Sequence, residues 1–136
     1  MTVLIDTSAW VEFFRSTGSG VHRATTELHR NNNPFLTCGP VDMELRAGAR
    51  NEQMLSDIDS ALGAARTLPV QPHHFDEAAT LYRLCRANGF TIRSLVDCLI
   101  AVIALSHDAE ILHKDRDFNA IAGVVPLRVH AASLTP

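Results

Sequence analysis

The stretch Val3-Leu4-Ile5-Asp6-Thr7-Ser8 decides the fold, because a short apolar run ends there at an acid. Three consecutive apolar residues of this kind are typical of a strand that is buried on both faces of a parallel sheet. Ser8 is predicted to cap the following helix, whose Trp10 and Phe14 are expected in the core or at a dimer contact. Open α/β sheets bind ligands beyond the carboxyl ends of their strands, so Asp6 lies where a site is expected.

Strands and helices are predicted to alternate along the rest of the chain. The later predicted strands are Phe35–Thr37, Leu68–Gln71, Glu110–Leu112 and Leu127–Val129. The later predicted helices are Val21–Arg30, Pro40–Ala49, Asn51–Ala64, Phe75–Asn88, Ser94–His107 and Phe118–Ala122. Pro69 and Pro72 place the third strand near an edge of the sheet. The alternation predicts an α/β fold with helices on both faces of a parallel sheet, and residues 1–136 are expected to form a single domain.

Composition argues against several classes of protein. The longest apolar run, residues 95–105, contains an aspartate and is shorter than the ~20 residues that a bilayer requires. No basic leader precedes an apolar segment, so a cytosolic protein is expected. Cys38, Cys85 and Cys98 form no CxxC pair and are expected to be reduced, partly buried thiols. The pair His73-His74 has no partner at zinc-finger spacing, so structural zinc is not expected.

The net charge of −3 is unusual for a protein that handles nucleic acid, but the placement of the acids matters more than their sum. If five of the 15 acidic residues form one metal site, the remaining ten leave a balance of +2 against the 12 basic residues. Eleven of those 12 are arginine, which suits bidentate contacts with phosphate. The charge therefore permits a nucleic-acid substrate without requiring one.

Asp97 is the most informative acid, because it interrupts a helix that is otherwise apolar nearly all round. Such a helix is expected to be buried, and a buried carboxylate without a partner is costly. Ala101 and Ala104 leave space beside it on the same face. Two interpretations follow: an ion pair with Arg93, one turn earlier, or a metal ligand in a crevice. The metal ligand is the favoured interpretation.

Four further acids could belong to the same site. Asp6 alone could serve only the N-terminus of its helix, and Glu44 alone could be a solvated helix residue. Asp115 and Asp117 alone could form a polar turn and a helix cap. Taken together, oxygen ligands from separate elements that meet at the carboxyl edge of a sheet favour Mg²⁺ or Mn²⁺ over zinc.

These acids fall in four short motifs. The motifs are Asp6-Thr7-Ser8, Glu44-Leu45, Asp97-Cys98-Leu99-Ile100-Ala101 and Asp115-Arg116-Asp117-Phe118. Over essentially the whole chain they resemble the motifs of PIN-domain nucleases, and the chain's size and hydrophobic start resemble the VapC toxins of toxin–antitoxin pairs. The resemblance implies a three-layer α/β/α sandwich with a central, mostly parallel sheet. It also implies Mg²⁺- or Mn²⁺-dependent endoribonuclease activity and homodimers inhibited by a VapB antitoxin. By position, the resemblance implies the core acids Asp6, Glu44, Asp97 and Asp115, with Asp117 as a fifth.

One position departs from the PIN pattern. Two residues before Asp115, where the family usually has Thr or another small polar residue, this chain has His113. The imidazole is expected to replace the missing hydroxyl or to contact phosphate. Other groups near the acids are expected to contact the substrate or the carboxylates: Thr7, Ser8, Arg46, Arg93 and Arg116.

The expected chemistry is hydrolysis of an RNA phosphodiester by water that the metal activates. Asp6, Asp97 and Asp115 would bind the metal, and Glu44 would orient or deprotonate the water. An aspartyl-phosphate phosphatase would need a second acid at the position of Ser8, and no GxxxxGK[ST] loop suggests an ATPase. Two alternatives keep the fold: an RNA-processing PIN nuclease that is not a toxin, and a catalytically silent PIN-fold module for RNA binding or interaction. The presence of all the core acids disfavours the silent module.

Overall fold

The computed structural model describes residues 2–134, and a five-stranded, all-parallel sheet forms its centre. The strands are β1 (Val3–Ile5), β2 (Leu36–Cys38), β3 (Arg66–Leu68), β4 (Glu110–Leu112) and β5 (Arg128–Val129). Their order across the sheet is β3-β2-β1-β4-β5, which places β1 in the middle. All three residues of β1 are buried. The apolar run of residues 3–5 is therefore a buried parallel strand, as the sequence predicts, and the structure shows that it lies at the centre of the sheet.

Seven α-helices cover the sheet within the described residues. They are α1 (Thr7–Arg15), α2 (Gly20–Arg30), α3 (Gly39–Gly48), α4 (Glu52–Leu62), α5 (Pro72–Ala87), α6 (Leu95–Ser106) and α7 (Arg116–Ala122), followed by a short 3-10 helix at Ala131–Leu134. Helix α1 packs on α2, and α5 packs on α6. The predicted α/β class is confirmed. No helix in residues 2–134 combines the length and the apolarity needed to cross a bilayer.

The strand order creates a crevice beside β1. From β1 the chain runs to β2 and β3 on one side, then crosses back to β4 and β5 on the other. Connections that leave neighbouring strands in opposite directions open a crevice at their carboxyl ends. Ile5 pairs with Leu112 in register, and the Asp6 N–H donates to the Leu112 carbonyl at 2.9 Å. The residues after β1 and after β4 therefore begin side by side at this crevice.

Strand β3 lies earlier than predicted. It spans Arg66–Leu68 and not Leu68–Gln71, and it pairs with β2 through Leu36–Arg66, Thr37–Thr67 and Cys38–Leu68. Only Leu68 of β3 is buried, so the apolar pattern does not mark the strand. Pro69 has no N–H to continue a ladder, which ends the strand there. The predicted edge position is confirmed.

Helix α6 is the long apolar helix that the sequence predicts to be buried. Ser94, where the helix was predicted to begin, is its N-cap, because the side chain accepts a hydrogen bond from the Val96 N–H. Seven of its 12 residues are buried, Asp97 among them. All three cysteines are free and buried, and burial raises the pKa of Cys38 and of Cys98 to about 12. These thiols are packing residues rather than nucleophiles.

Candidate active site

Four aspartates lie at the N-termini of three helices. Asp6 is the N-cap of α1 and Asp115 the N-cap of α7. Asp97 and Asp117 lie in the first turns of α6 and α7. Helix N-termini favour negative charge, so each carboxylate is in a position that a helix dipole stabilises. Oxygen atoms of Asp97, Asp115 and Asp117 lie within 4.8 Å of one another.

The cap of α1 is Asp6, and the prediction that Ser8 caps this helix is wrong. Asp6 Oδ2 accepts hydrogen bonds from the Ser8 N–H at 2.9 Å and the Ser8 hydroxyl at 2.6 Å. The helix already begins at Thr7, so Ser8 lies within its first turn, and both its N–H and its hydroxyl donate back to Asp6. Asp6 is 3% exposed, and no donor in the described residues reaches its Oδ1. Burial raises the pKa of Asp6 to about 6, against the lowering effect of the Ser8 bonds.

Asp97 is a buried carboxyl whose side chain has neither a hydrogen-bond donor nor a cationic partner among the described residues. It is 8% exposed, and no hydrogen-bond donor among residues 2–134 serves its side chain. Burial is the main reason that its pKa rises to about 8. The negative charges of Asp6, Asp115, Glu44 and Asp117 raise the pKa further, in that order. This dependence places the other four acids within electrostatic reach of Asp97.

The alternative of an Arg93–Asp97 ion pair is wrong. Arg93 lies before the N-cap of α6 and turns toward α7. Its Nη2 donates to Asp115 Oδ1 at 2.8 Å, and its Nε donates to Asp117 Oδ2 at 3.1 Å. Its backbone N–H donates to the same Asp117 oxygen at 3.1 Å. Arg93 therefore compensates the two acids of α7 and leaves Asp97 without a cation.

Glu44 faces the same site from α3. The Thr7 hydroxyl donates to Glu44 Oε1 at 2.8 Å, which links α1 to α3. The charge of Glu44 raises the pKa of both Asp6 and Asp97. Both hydroxyls that the sequence singled out thus donate to carboxylates, Thr7 to Glu44 and Ser8 to Asp6. The hydroxyls of Thr7 and Ser8 therefore orient carboxylates of the site.

His113 is buried, so the prediction that it contacts phosphate is wrong. It is 1% exposed, and its ring lies against Phe118 with centroids 5.1 Å apart. Its Nδ1 accepts a hydrogen bond from the Asp115 N–H at 3.0 Å. Burial lowers the pKa of His113 to about 4, which keeps the imidazole neutral near pH 7. The ring therefore holds the turn that carries Asp115 through that residue's backbone N–H.

The remaining predicted arginines lie outside this group of acids. Arg46 is half exposed and pairs with Asp42 and Asp59. Arg116 begins α7 and is exposed. Neither arginine makes an ion pair with the five acids in the described part of the chain. Any contact that they make with a substrate must form when the substrate binds.

A second group of side chains has metal-like spacing but unsuitable chemistry. His73, His74 and Glu77 offer ligand atoms within 4.8 Å of one another. The Nδ1 of His74 accepts a hydrogen bond from the Gln71 N–H at 2.9 Å, which caps α5. That bond leaves the proton of a neutral His74 on Nε2, where a metal would have to bind. His74 is therefore a helix cap.

The acids of the main group fit a hard divalent cation. Buried carboxylates need a cation or donors, and neither Asp6 Oδ1 nor Asp97 has one in the described residues. Each of Asp115 and Asp117 gives one oxygen to Arg93 and keeps the other free. Oxygen-only ligands at this spacing suit Mg²⁺ or Mn²⁺.

The PIN domain sequence profile matches residues 3–124, which include all five acids. The chain belongs to the PIN domain family. This PIN domain is 39% identical over 131 residues to Ribonuclease VapC11 of Mycobacterium tuberculosis, covering 93% of this chain and 96% of the relative. It is 34% identical over 83 residues to Ribonuclease VapC51 of the same organism, covering 61% of each chain. The resemblance to PIN-domain nucleases is thereby confirmed.

Solved structures show the same fold at lower sequence identity. VapBC2 from Rickettsia felis, bound to a DNA fragment from its promoter, has a TM-score of 0.76 at 19% identity and covers 96% of this chain and 98% of its own. Mycobacterium tuberculosis VapC20, described as a sarcin-ricin loop cleaving toxin, has a TM-score of 0.67 at 22% identity, covering 93% and 98%. These likenesses establish the PIN fold, including the predicted three-layer arrangement.

An apolar groove next to the acids was missed by the sequence analysis. Its volume is about 510 Å³, and Thr7 and Glu44 line it. Its apolar lining comes from α1, α3 and α4: Val11, Phe14, Leu45, Met54 and Ile58. Apolar residues on more than one face of α1 are the only sequence signal of such a surface, and the same pattern is typical of core packing. Phe14 is therefore a groove residue as well as a neighbour of buried Trp10.

Proposed function

We propose that the protein is a metal-dependent endoribonuclease and the toxin of a type II toxin–antitoxin pair, acting through a single nuclease domain. The observation that carries the proposal is the pair of buried, uncompensated carboxyls Asp6 and Asp97 beside three further acids. A fold gains nothing from such a cluster unless a cation neutralises it. The choice of RNA as substrate draws on the 39% identity to relatives that are named ribonucleases.

The cation in this proposal is Mg²⁺ or Mn²⁺. It would be held by the free oxygens of the cluster: Asp6 Oδ1, Asp97, Asp115 and Asp117, with Glu44 at the side. A divalent ion there would supply Lewis-acid chemistry, because it neutralises the scissile phosphate and activates water for attack.

The chain's own residues would orient the reaction. Thr7 occupies Glu44 Oε1, which leaves Oε2 to accept a hydrogen bond from water and then its proton. Ser8 fixes Asp6 through Oδ2 and joins the loop after β4 by accepting a hydrogen bond from the Lys114 N–H at 2.8 Å. His113 holds the Asp115 turn. Arg116, which is exposed at the start of α7, would contact a flanking phosphate.

The proposed partner is a VapB-type antitoxin. Several solved structures with this fold are complexes of a VapB with a VapC, and the apolar groove adjoins the acids through Thr7 and Glu44. An apolar segment of the antitoxin would fill the groove, and an arginine or lysine would reach the carboxylates. Such a segment would compete with both metal and RNA. The homodimer that the family resemblance implies stays a prediction.

The purified protein is expected to cleave RNA internally with Mn²⁺ or Mg²⁺ and to lose that activity in EDTA. The products should carry 5′-phosphate and 3′-hydroxyl ends, because an activated water and not the 2′-hydroxyl is the nucleophile. End-specific ligation and phosphatase treatment of the products measure this. Cleavage that persists in chelator, or products that end in 2′,3′-cyclic phosphate, would rule out the mechanism.

A further inference from the structure

We propose that Arg93 occupies the place of a second cation, so that the site binds one divalent ion and Arg93 itself contacts the substrate phosphate. The proposal rests on the proposed function, since it concerns the same cluster of acids. It assigns to this chain a site of one metal and one guanidinium.

The hydrogen bonds of Asp115 and Asp117 support the first part of the proposal, that the site binds one divalent ion. Asp115 Oδ1 already accepts two hydrogen bonds, from Arg93 Nη2 at 2.8 Å and from the Asp117 N–H at 3.0 Å. Asp117 Oδ2 also accepts two, from the Nε and the backbone N–H of Arg93. One oxygen of each acid is therefore already occupied by two hydrogen bonds, which makes it a poor ligand for a second ion. The other oxygen of each acid accepts no hydrogen bond in the described residues, and Asp97, Asp115 and Asp117 offer ligand atoms within 4.8 Å of one another.

The attachment of Arg93 is too specific for a surface ion pair. Its backbone N–H and its Nε both donate to Asp117 Oδ2. The side chain of Asp117 is only 8% exposed. Exposed ion pairs contribute little because water screens them and both side chains are mobile. Here the backbone bond anchors the main chain of Arg93, and the bonds of Nε and Nη2 hold the guanidinium between Asp117 and Asp115.

The exposed part of the Arg93 guanidinium supports the second part of the proposal, that Arg93 contacts the substrate phosphate. Its side chain is 59% exposed, and its Nη1 takes no acceptor among residues 2–134. The same residue lines a cleft with Tyr82, Arg83 and Leu95. A guanidinium that is fixed by two carboxylates and open on its third nitrogen presents donors in the geometry that phosphate oxygens accept.

Titration of the metal-free protein with Mn²⁺ in a calorimeter tests the first part of the proposal. The wild-type protein is expected to bind one ion, and Arg93→Gln two, since the substitution removes the guanidinium charge and one of the two donors to each of Asp115 Oδ1 and Asp117 Oδ2. Arg93→Lys, which keeps the charge, should bind one, as should the control Arg66→Gln on edge strand β3.

In EDTA, Arg93→Gln should melt below wild type and Arg93→Lys close to it. Arg93→Gln should also cleave RNA about 100-fold more slowly at saturating Mn²⁺.

The outcomes separate this inference from the proposed function. Two ions on the wild-type protein, or one ion on a folded Arg93→Gln variant, would overturn the role of Arg93 and leave the metal site intact. Unchanged cleavage by Arg93→Gln would overturn the phosphate contact. If the wild-type protein binds no Mn²⁺ at the acids, the proposed function itself fails.

Discussion

Asp97→Asn is expected to abolish RNA cleavage and, in EDTA near neutral pH, to raise the melting temperature of the protein. The loss of cleavage should be on the order of 10³-fold or more, because the substitution removes a charge from the centre of the site. The gain in stability should be about 1 kcal/mol, or roughly 2–6 °C for a domain of this size. Asparagine keeps the shape of the side chain and is neutral without binding a proton, whereas Asp97 must take up a proton to avoid the cost of an ionised, buried group beside four other acids.

The stability effect has a defined dependence on pH. In the unfolded chain an aspartate titrates near pH ~3.9, whereas the pKa of folded Asp97 rises to about 8. Between these values the folded protein keeps a proton that the unfolded chain has released, so the free energy of unfolding falls as pH rises. Asp6, whose pKa rises to about 6, contributes in the same direction over a narrower window. The difference between Asp97→Asn and wild type should therefore vanish near pH 4 and grow toward pH 8.

Thermal melts in EDTA and in millimolar Mg²⁺ measure both effects. Mg²⁺ should raise the melting temperature of wild type more than that of Asp97→Asn, since the ion stabilises only the state that binds it. Asp76→Asn, at an exposed position of α5, controls for the loss of an aspartate elsewhere. Arg93 keeps Asp115 and Asp117 in the variant, so no buried cation is left without a partner. A variant that is less stable than wild type in EDTA and indifferent to Mg²⁺ would mean that Asp97 is structural.

Expression of the protein alone is expected to arrest growth, and co-expression of its VapB-type partner is expected to restore it. The reason is competition: an apolar segment in the groove with a cationic side chain at the carboxylates would exclude RNA and metal together. Colony counts after induction, with and without the partner, measure the effect. Sequencing of RNA ends from the same cells would also identify the substrate.

Asp97→Asn is the matched control for growth, because it keeps the groove and removes the chemistry. Cells that express this variant should grow normally. If wild-type protein cleaves RNA in these cells without harming them, the toxin assignment fails and an RNA-processing nuclease replaces it. Arrest by the Asp97→Asn variant would instead mean that binding, rather than cleavage, is harmful.

Much of the fold follows from local sequence patterns. The run of residues 3–5 is apolar at every position, as a strand covered on both faces must be, and it forms β1. Ser94 precedes a long apolar segment, and α6 begins there as predicted, with Ser94 as its N-cap. Asp6 and Asp115 follow neighbouring strands, so a parallel sheet alone brings them to one edge. The positions of these two acids could be predicted because they depend on the order of the strands and not on side-chain contacts.

The errors concern partners that the sequence does not place near each other. Arg93 and Asp97 share a helical spacing, but Arg93 lies before the helix and pairs 22 residues away with Asp115. Ser8 was predicted as the cap because the start of α1 could not be fixed to one residue, and Asp6 takes that role. His113 is polar and follows a strand, which does not distinguish a solvent-facing imidazole from a buried one. In each case a contact outside the local pattern decides the outcome.

The position of Mn²⁺ in crystals of the protein, located by its anomalous scattering, tests the central claim most directly. The account predicts one ion within coordination distance of Asp6 Oδ1 and an Asp97 oxygen, with Asp115 and Asp117 around it and Arg93 still bonded to α7. Asp97→Asn crystals should show weaker or no occupancy there. A wild-type crystal that holds Mn²⁺ at His73, His74 and Glu77, or none at the aspartates although the same preparation cleaves RNA, would contradict it.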